Sequence, residues 1–201
     1  LEPKANGSLT VVDDLTSLTK AIKKQPVLAS HVDQRLDNNG LTIEGIAVVD
    51  DTLLAGFRGP TLSGGCAVVL SVSIASLRYN KPEAKAIMLH LGDGMGIRDL
   101  ARDGDRVLVL AGPSADVAGP YSIYSWDGQT EDDLSLIAPL SKVDGAGDTR
   151  KAEALLPIHT KNGGRQILVL FDGEPQGSPI LIDIPPESLN KEATKVKTHC
   201  Q

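Results

Sequence analysis

Thr42-Ile43-Glu44-Gly45-Ile46-Ala47 is the stretch on which the fold turns, because it returns twice further along the chain. The echoes are Ile97-Arg98-Asp99-Leu100-Ala101 and Lys151-Ala152-Glu153-Ala154-Leu155-Leu156. Aligned on Glu44, Asp99 and Glu153, the three copies stand 55 and 54 residues apart. Self-similarity at a fixed period marks a repeat architecture.

The features downstream keep step. A polar turn follows each acidic residue, then an apolar run: Leu53 to Phe57, Val107 to Leu110, Ile167 to Phe171. Each run ends in a break, at Arg58-Gly59-Pro60, Ala111-Gly112-Pro113 and Asp172-Gly173-Glu174-Pro175. A third run comes next: Ala67 to Ile74, Tyr121 to Trp126, Ile180 to Ile184. Val68, Leu70, Val72 and Ile74 alternate as in a half-buried strand. Ile87 to Leu91 and Leu134 to Leu140 supply a fourth run in the first two units, and the third unit lacks an obvious one. Asp50-Asp51 and Asp103-Gly104-Asp105 suit hairpin turns, which need positive φ or a side-chain-bonded turn. Helix-period patterns are absent between residues 42 and 185.

Antiparallel strands in a repeat of this length describe β-propeller blades. The expected fold is therefore all-β, a propeller of three four-stranded antiparallel blades forming a partial ring. The blades span 42–95, 96–149 and 150–185. Residues 1–41 hold a short N-terminal helix and lead-in, and 186–201 form a polar tail. Asp13 or Asp14 would cap the helix, Leu15, Leu18 and Ile22 would share its face, and Pro26 would stop it. Val27 to Leu36 is ambiguous, one reading being the outer strand of a preceding blade. Propellers close with four to eight blades. Three therefore imply either further blades from a parent chain or a homodimer that completes the ring.

Composition narrows the function. The chain has 201 residues, 41% hydrophobic and 23% charged, with 20 Gly, 12 Pro and only 3% aromatics. The balance suits short strands and tight turns. A net charge of -6 and a pI near 5.2, with no basic stretch, disfavour nucleic-acid binding. Lys20, Lys23 and Lys24 read as the wet side of the helix. No apolar run approaches a membrane span. No signal peptide is legible, and a start at Leu1 rather than Met suits a processed or trimmed end. Cys66 and Cys200 read as free thiols, so the cellular compartment stays open.

Leu41-Thr42-Ile43-Glu44-Gly45-Ile46-Ala47, Phe57-Arg58-Gly59-Pro60, Gly96-Ile97-Arg98-Asp99-Leu100-Ala101-Arg102-Asp103, Leu110-Ala111-Gly112-Pro113 and Gly119-Pro120-Tyr121-Ser122-Ile123-Tyr124-Ser125-Trp126 occur in order. Over residues 38 to 185 this series resembles the bacterial family known as domain of unknown function number 3616. The resemblance implies a propeller, usually in a longer chain, and supplies no catalytic residues. More distantly, Glu-Gly-Ile-Ala on an inner strand is similar to esterase-like phytase propellers, a likeness of fold that warrants little about activity.

In a propeller the first strand of each blade lines the channel. Glu44, Asp99 and Glu153 would then face one axis, and their repulsion would be relieved by a hard cation such as calcium or by a guanidinium. Arg98 and Lys151 flank two of them, and Arg58 closes the neighbouring strand. Glu44, Arg58, Arg98, Asp99 and Glu153 are thus the candidate ligand residues, with Glu44, Asp99 and Glu153 the candidate metal ligands. The structural alternative has each carboxylate accepting backbone N–H groups of the next blade.

Other motifs fail. Gly92-Asp93-Gly94-Met95-Gly96 leads into a strand, so it lacks the helix N-terminus of a phosphate loop. Asp144 to Asp148 is too short for an EF-hand. His31, His90, His159 and His199 form no metal pair by spacing, no Gly-x-Ser-x-Gly elbow exists, and Ser114 with Asp116 reads as a loop. The sequence assigns no catalytic residue and leaves open whether the protein is an enzyme. Its first reading is a binding or scaffold module for a small polar ligand or partner protein at the channel mouth. The alternative is a metal-assisted hydrolase of a phosphoester-like anionic substrate, clamped by Arg58 and Arg98.

Overall fold

The computed structural model describes residues 2–3, 9–10, 16–147, 149–184 and 200. Strands β1 (Glu2–Pro3) and β2 (Leu9–Thr10) pair antiparallel. Two helices follow, α1 (Ser17–Lys23) and α2 (Pro26–Ala29), then a 3-10 turn at Leu36–Asn38. Asp13, Asp14 and Leu15, expected in the helix, lie outside the described residues. Pro26 does end α1, but it also opens α2, where its fixed φ and missing N–H suit a first helical position. The strand reading of Val27 to Leu36 is thereby corrected.

From Thr42 to Ile184 the described residues form antiparallel meanders. Sheet I holds β3 (Thr42–Val49), β4 (Thr52–Leu62), β5 (Cys66–Ser73) and β6 (Ala84–His90). A short helix, α3 (Ile74–Arg78), lies between β5 and β6. Sheet II holds β7 (Met95–Asp103), β8 (Arg106–Pro113), β9 (Ser122–Trp126) and β10 (Leu134–Pro139). Sheet III holds β11 (Lys151–His159), β12 (Arg165–Asp172) and β13 (Ile180–Ile184). Asp50 at φ 52° and Gly104 at φ 67° make the first two hairpin turns.

Three expectations need correction. Among the described residues sheet III has three strands, not four. Helix α3 interrupts the span expected to be free of helix, because the Ser73 hydroxyl caps the Ser76 N–H at 3.3 Å. Strand β5 does not show one wet face: it is buried on both sides, between the helices and sheet II.

The sheets stack in chain order and do not close on themselves. Strand β7 packs on β3, β4 and β5, and β11 packs on β7 and β8. Between sheets I and II lie Leu54, Val69, Leu89, Ile97, Leu100, Val107 and Trp126. Between II and III lie Leu108, Leu110, Ile123, Leu155, Ile167 and Phe171. The outer face of sheet I is covered by Ala21, Ile22 and Leu28 against Phe57, Val68 and Leu70.

The expected free thiols are instead joined. Cys66, fully buried at the start of β5, forms a disulfide with Cys200, their Cα atoms 6.0 Å apart. A separation of 134 residues carries no pairing signal in sequence. No helix among the described residues is long and apolar enough to cross a membrane.

Candidate functional site

Each inner strand carries a β-bulge at the same place. Pairing shifts between Ile43 and Gly45, between Ile97 and Asp99, and between Ala152 and Ala154. The bulged residues are therefore Glu44, Arg98 and Glu153. A bulge leaves one residue out of the ladder and re-aims its side chain. Arg98, rather than Asp99, is thus the structural counterpart of Glu44 and Glu153.

The three re-aimed side chains meet in an alternating row. Arg98 Nε and Glu44 Oε2 stand 3.1 Å apart as an ion pair, without the alignment of a hydrogen bond. Arg98 Nη2 donates to Glu153 Oε1, and its Nη1 to the Pro113 carbonyl at 3.3 Å. On the other side Arg58 Nη1 donates to Glu44 Oε1 at 2.9 Å, and Arg58 Nε to the Ser114 carbonyl at 2.8 Å. Arg98 is 2% exposed, and burial lowers its pKa while Glu44 opposes that shift. Guanidinium stays charged well above neutrality, so the row keeps its alternating sign. The expected mutual repulsion of three carboxylates is absent because a cationic residue occupies the middle position.

Asp99 stands apart from this row. Its Oδ1 accepts the Leu100 N–H and its Oδ2 the Leu155 N–H of sheet III, both at 2.8 Å. It fastens the bulge of its own strand to the next sheet. Burial raises its pKa, against the lowering effect of the two N–H groups. Among the described residues no three His, Cys, Asp or Glu side chains are grouped to hold a metal ion.

Close backbone approach sets the geometry. A Cβ on Gly96 would meet the Arg58 carbonyl oxygen at 2.0 Å, and one on Gly45 would meet the Leu100 nitrogen at 2.9 Å. Only glycine lets β7 lie against Arg58 and β3 in this way. The approach brings the two guanidinium groups to one carboxylate.

Beside the row opens a cavity of about 610 Å³, bordered by Arg35, Asp37, Asn39, Thr61, Ser114 and Asp116. Its rim is fixed by Asn39, which exchanges hydrogen bonds with Thr61 through Nδ2 to the carbonyl at 2.9 Å and the N–H to Oδ1 at 2.8 Å. Asp116 accepts from Lys151 Nζ at 2.6 Å, a pair that lowers the Asp116 pKa. Arg58 is joined to this lining by its Nε bond to the Ser114 carbonyl. Its Nη2 is buried and has no hydrogen-bond partner among the described residues.

A second polar cluster was not legible in the sequence. Asp103, 2% exposed at the end of β7, accepts from Arg165 Nη2 and lies 2.7 Å from His159 Nε2. The three residues sit at equivalent hairpin ends of sheets II and III. A gapless alignment on the apolar pairs Ile46-Ala47, Leu100-Ala101 and Leu155-Leu156, rather than on the acids, would have placed Arg98 correctly.

The fold and site define a class: an all-β stack of antiparallel meanders with few helices, joined by a bulge-borne charge row. The profile of the family described as "Protein of unknown function (DUF3616)" matches residues 2–178, and the chain belongs to that family. No curated protein matches the chain.

Proposed function

We propose that the three sheets are blades of an incomplete β-propeller, cut at 42–95, 96–149 and 150–185. On this reading the protein is a binding module for a small polar ligand bearing an anionic oxygen. The blade reading is supported by the meander order of each sheet and by contact of the first strands β7 and β11 with the preceding sheet. Ring completion would come from further chain or from a second copy.

One observation carries the ligand reading: the buried Arg58 Nη2 has no partner, and its guanidinium is bonded through Nε to Ser114, which lines a cavity in the size range of small-molecule sites. An unmet buried donor costs about 1–3 kcal/mol, which an incoming acceptor oxygen would relieve. The metal-assisted hydrolase would need free carboxylate oxygens, whereas Glu44 and Glu153 are neutralised by Arg98.

Thermal shift tests both readings, with citrate, succinate and inorganic phosphate in one arm and calcium, magnesium and manganese in the other. An oxyanion at ten times its Kd should add about 1.4 kcal/mol, or roughly 3–6 °C, to the wild type and nothing to Arg58→Gln. The cations should shift neither. Failure of every oxyanion sinks the binding reading, and a cation shift lost in Glu44→Gln would establish the hydrolase alternative.

A further inference from the structure

Tyr121, immediately before β9, is a buried phenol whose ring lies against the charge row. A Cβ on Gly112 would meet Tyr121 Cε1 at 2.3 Å and Arg98 Cγ at 3.0 Å. The side chain that Gly112 lacks is thus the space in which the ring sits beside the stem of Arg98. The same turn receives both guanidinium groups. Arg98 Nη1 donates to the Pro113 carbonyl at 3.3 Å, and Arg58 Nε to the Ser114 carbonyl at 2.8 Å.

Packing alone does not call for the Tyr121 hydroxyl. Phenylalanine would fill the space over Gly112 equally, without taking an oxygen out of water. Tyr121 is 3% exposed, and among the described residues its hydroxyl makes no hydrogen bond. Burial raises its pKa, while Arg98, Arg58 and Lys151 pull the other way. The phenol therefore keeps its proton at neutral pH and has it to donate. Arg58 Nη2 is a second buried donor with no partner, because the guanidinium commits Nη1 to Glu44 and Nε to Ser114.

We infer that Tyr121 Oη and Arg58 Nη2 are the paired donors of the site, and that the group they hold is a carboxylate. The inference rests on the ligand reading of the Arg58 site and names the ligand's chemistry. Two donors match the two oxygens of a carboxylate, whereas a phosphate brings at least one more acceptor than they satisfy. Charge points the same way. Glu44 and Glu153 balance Arg58 and Arg98, and Asp116 balances Lys151. The row thus holds no surplus positive charge for a group that carries more than one negative charge, as phosphate does near neutrality. Lys151, then Arg58 and Arg98, lower the pKa of Asp116, which lines the cavity beside Ser114. A ligand approaching from that cavity meets the guanidinium side of the row.

Calorimetric titration of the whole chain with succinate and with inorganic phosphate tests the inference. Succinate spreads its charge over two carboxylates, so the comparison reports the group and not the total charge. Wild type should bind succinate roughly tenfold more tightly than phosphate, and Tyr121→Phe should bind succinate about tenfold more weakly than wild type. Tyr79→Phe, at a residue 80% exposed, should bind as wild type does. Succinate should also shift the near-ultraviolet tyrosine absorption of wild type and Tyr79→Phe, and leave that of Tyr121→Phe unchanged. Those spectra carry the test if Tyr121→Phe fails to fold. A wild type that binds neither probe sinks the ligand reading and this inference with it. Succinate binding undiminished in Tyr121→Phe, a preference for phosphate, or an unshifted tyrosine spectrum would overturn this inference alone.

Discussion

Arg98 holds more of the site together than any other side chain, since it faces Glu44 in sheet I and Glu153 in sheet III from the sheet between them. Its replacement by methionine would leave two carboxylates facing without a cation. Breaking a buried pair costs about 3–5 kcal/mol, and the partial exposure of both glutamates places the expected loss near the lower figure. Chemical denaturation of Arg98→Met measures it. Asp99 makes a different prediction, because its pKa is raised in the folded state. The folded protein then holds that proton more tightly than the unfolded chain. Wild type should therefore gain stability relative to Asp99→Asn as pH falls from 7 toward about 3.9, and lose that gain as pH rises again. Melting curves of both proteins across that range check the sign. The acids themselves were visible in sequence. Which of them belonged to the inner row was not, because a bulge shifts the count by one residue without changing composition.

At the scale of the element, the sheets are set by apolar runs and the approaches are set by glycine. Leu108, buried between sheets II and III, should cost about 2–5 kcal/mol when cut to alanine. Gly96→Ala should cost about 3 kcal/mol or more, since its Cβ would press on the Arg58 backbone rather than on a yielding side chain. Urea unfolding measures both, and a silent Gly96→Ala would contradict the packing of β7 on β4. Strands β4, β8 and β12 were legible because Gly and Pro bound their apolar runs. Strand β5 was misread as half wet because the helices that cover it come from the far N-terminal side. Helix α3 escaped notice because five residues are too few to establish a helical period.

Over the whole molecule, the order of the units could be read from spacing alone, whereas the last unit, expected as a four-stranded blade, has three strands among the described residues. The covalent tie could not be read, because Cys66 and Cys200 lie 134 residues apart with sheets I to III between them in the chain. A closed loop of that length should contribute roughly 5 kcal/mol by chain entropy. Melting with and without a thiol reductant should show a large drop, matched by Cys200→Ser in the absence of reductant. A disulfide also fits an oxidising compartment better than a reducing one. The direct test of the binding site is an amide and arginine side-chain NMR titration with citrate, read over every assigned residue. Saturable shifts should appear at Arg58 Nε, at the Ser114–Asp116 loop with its partner Lys151, and at Asn39 and Thr61, with β12 and β13 unmoved. Absence of saturable change, or change centred on β12 and β13, would contradict the account.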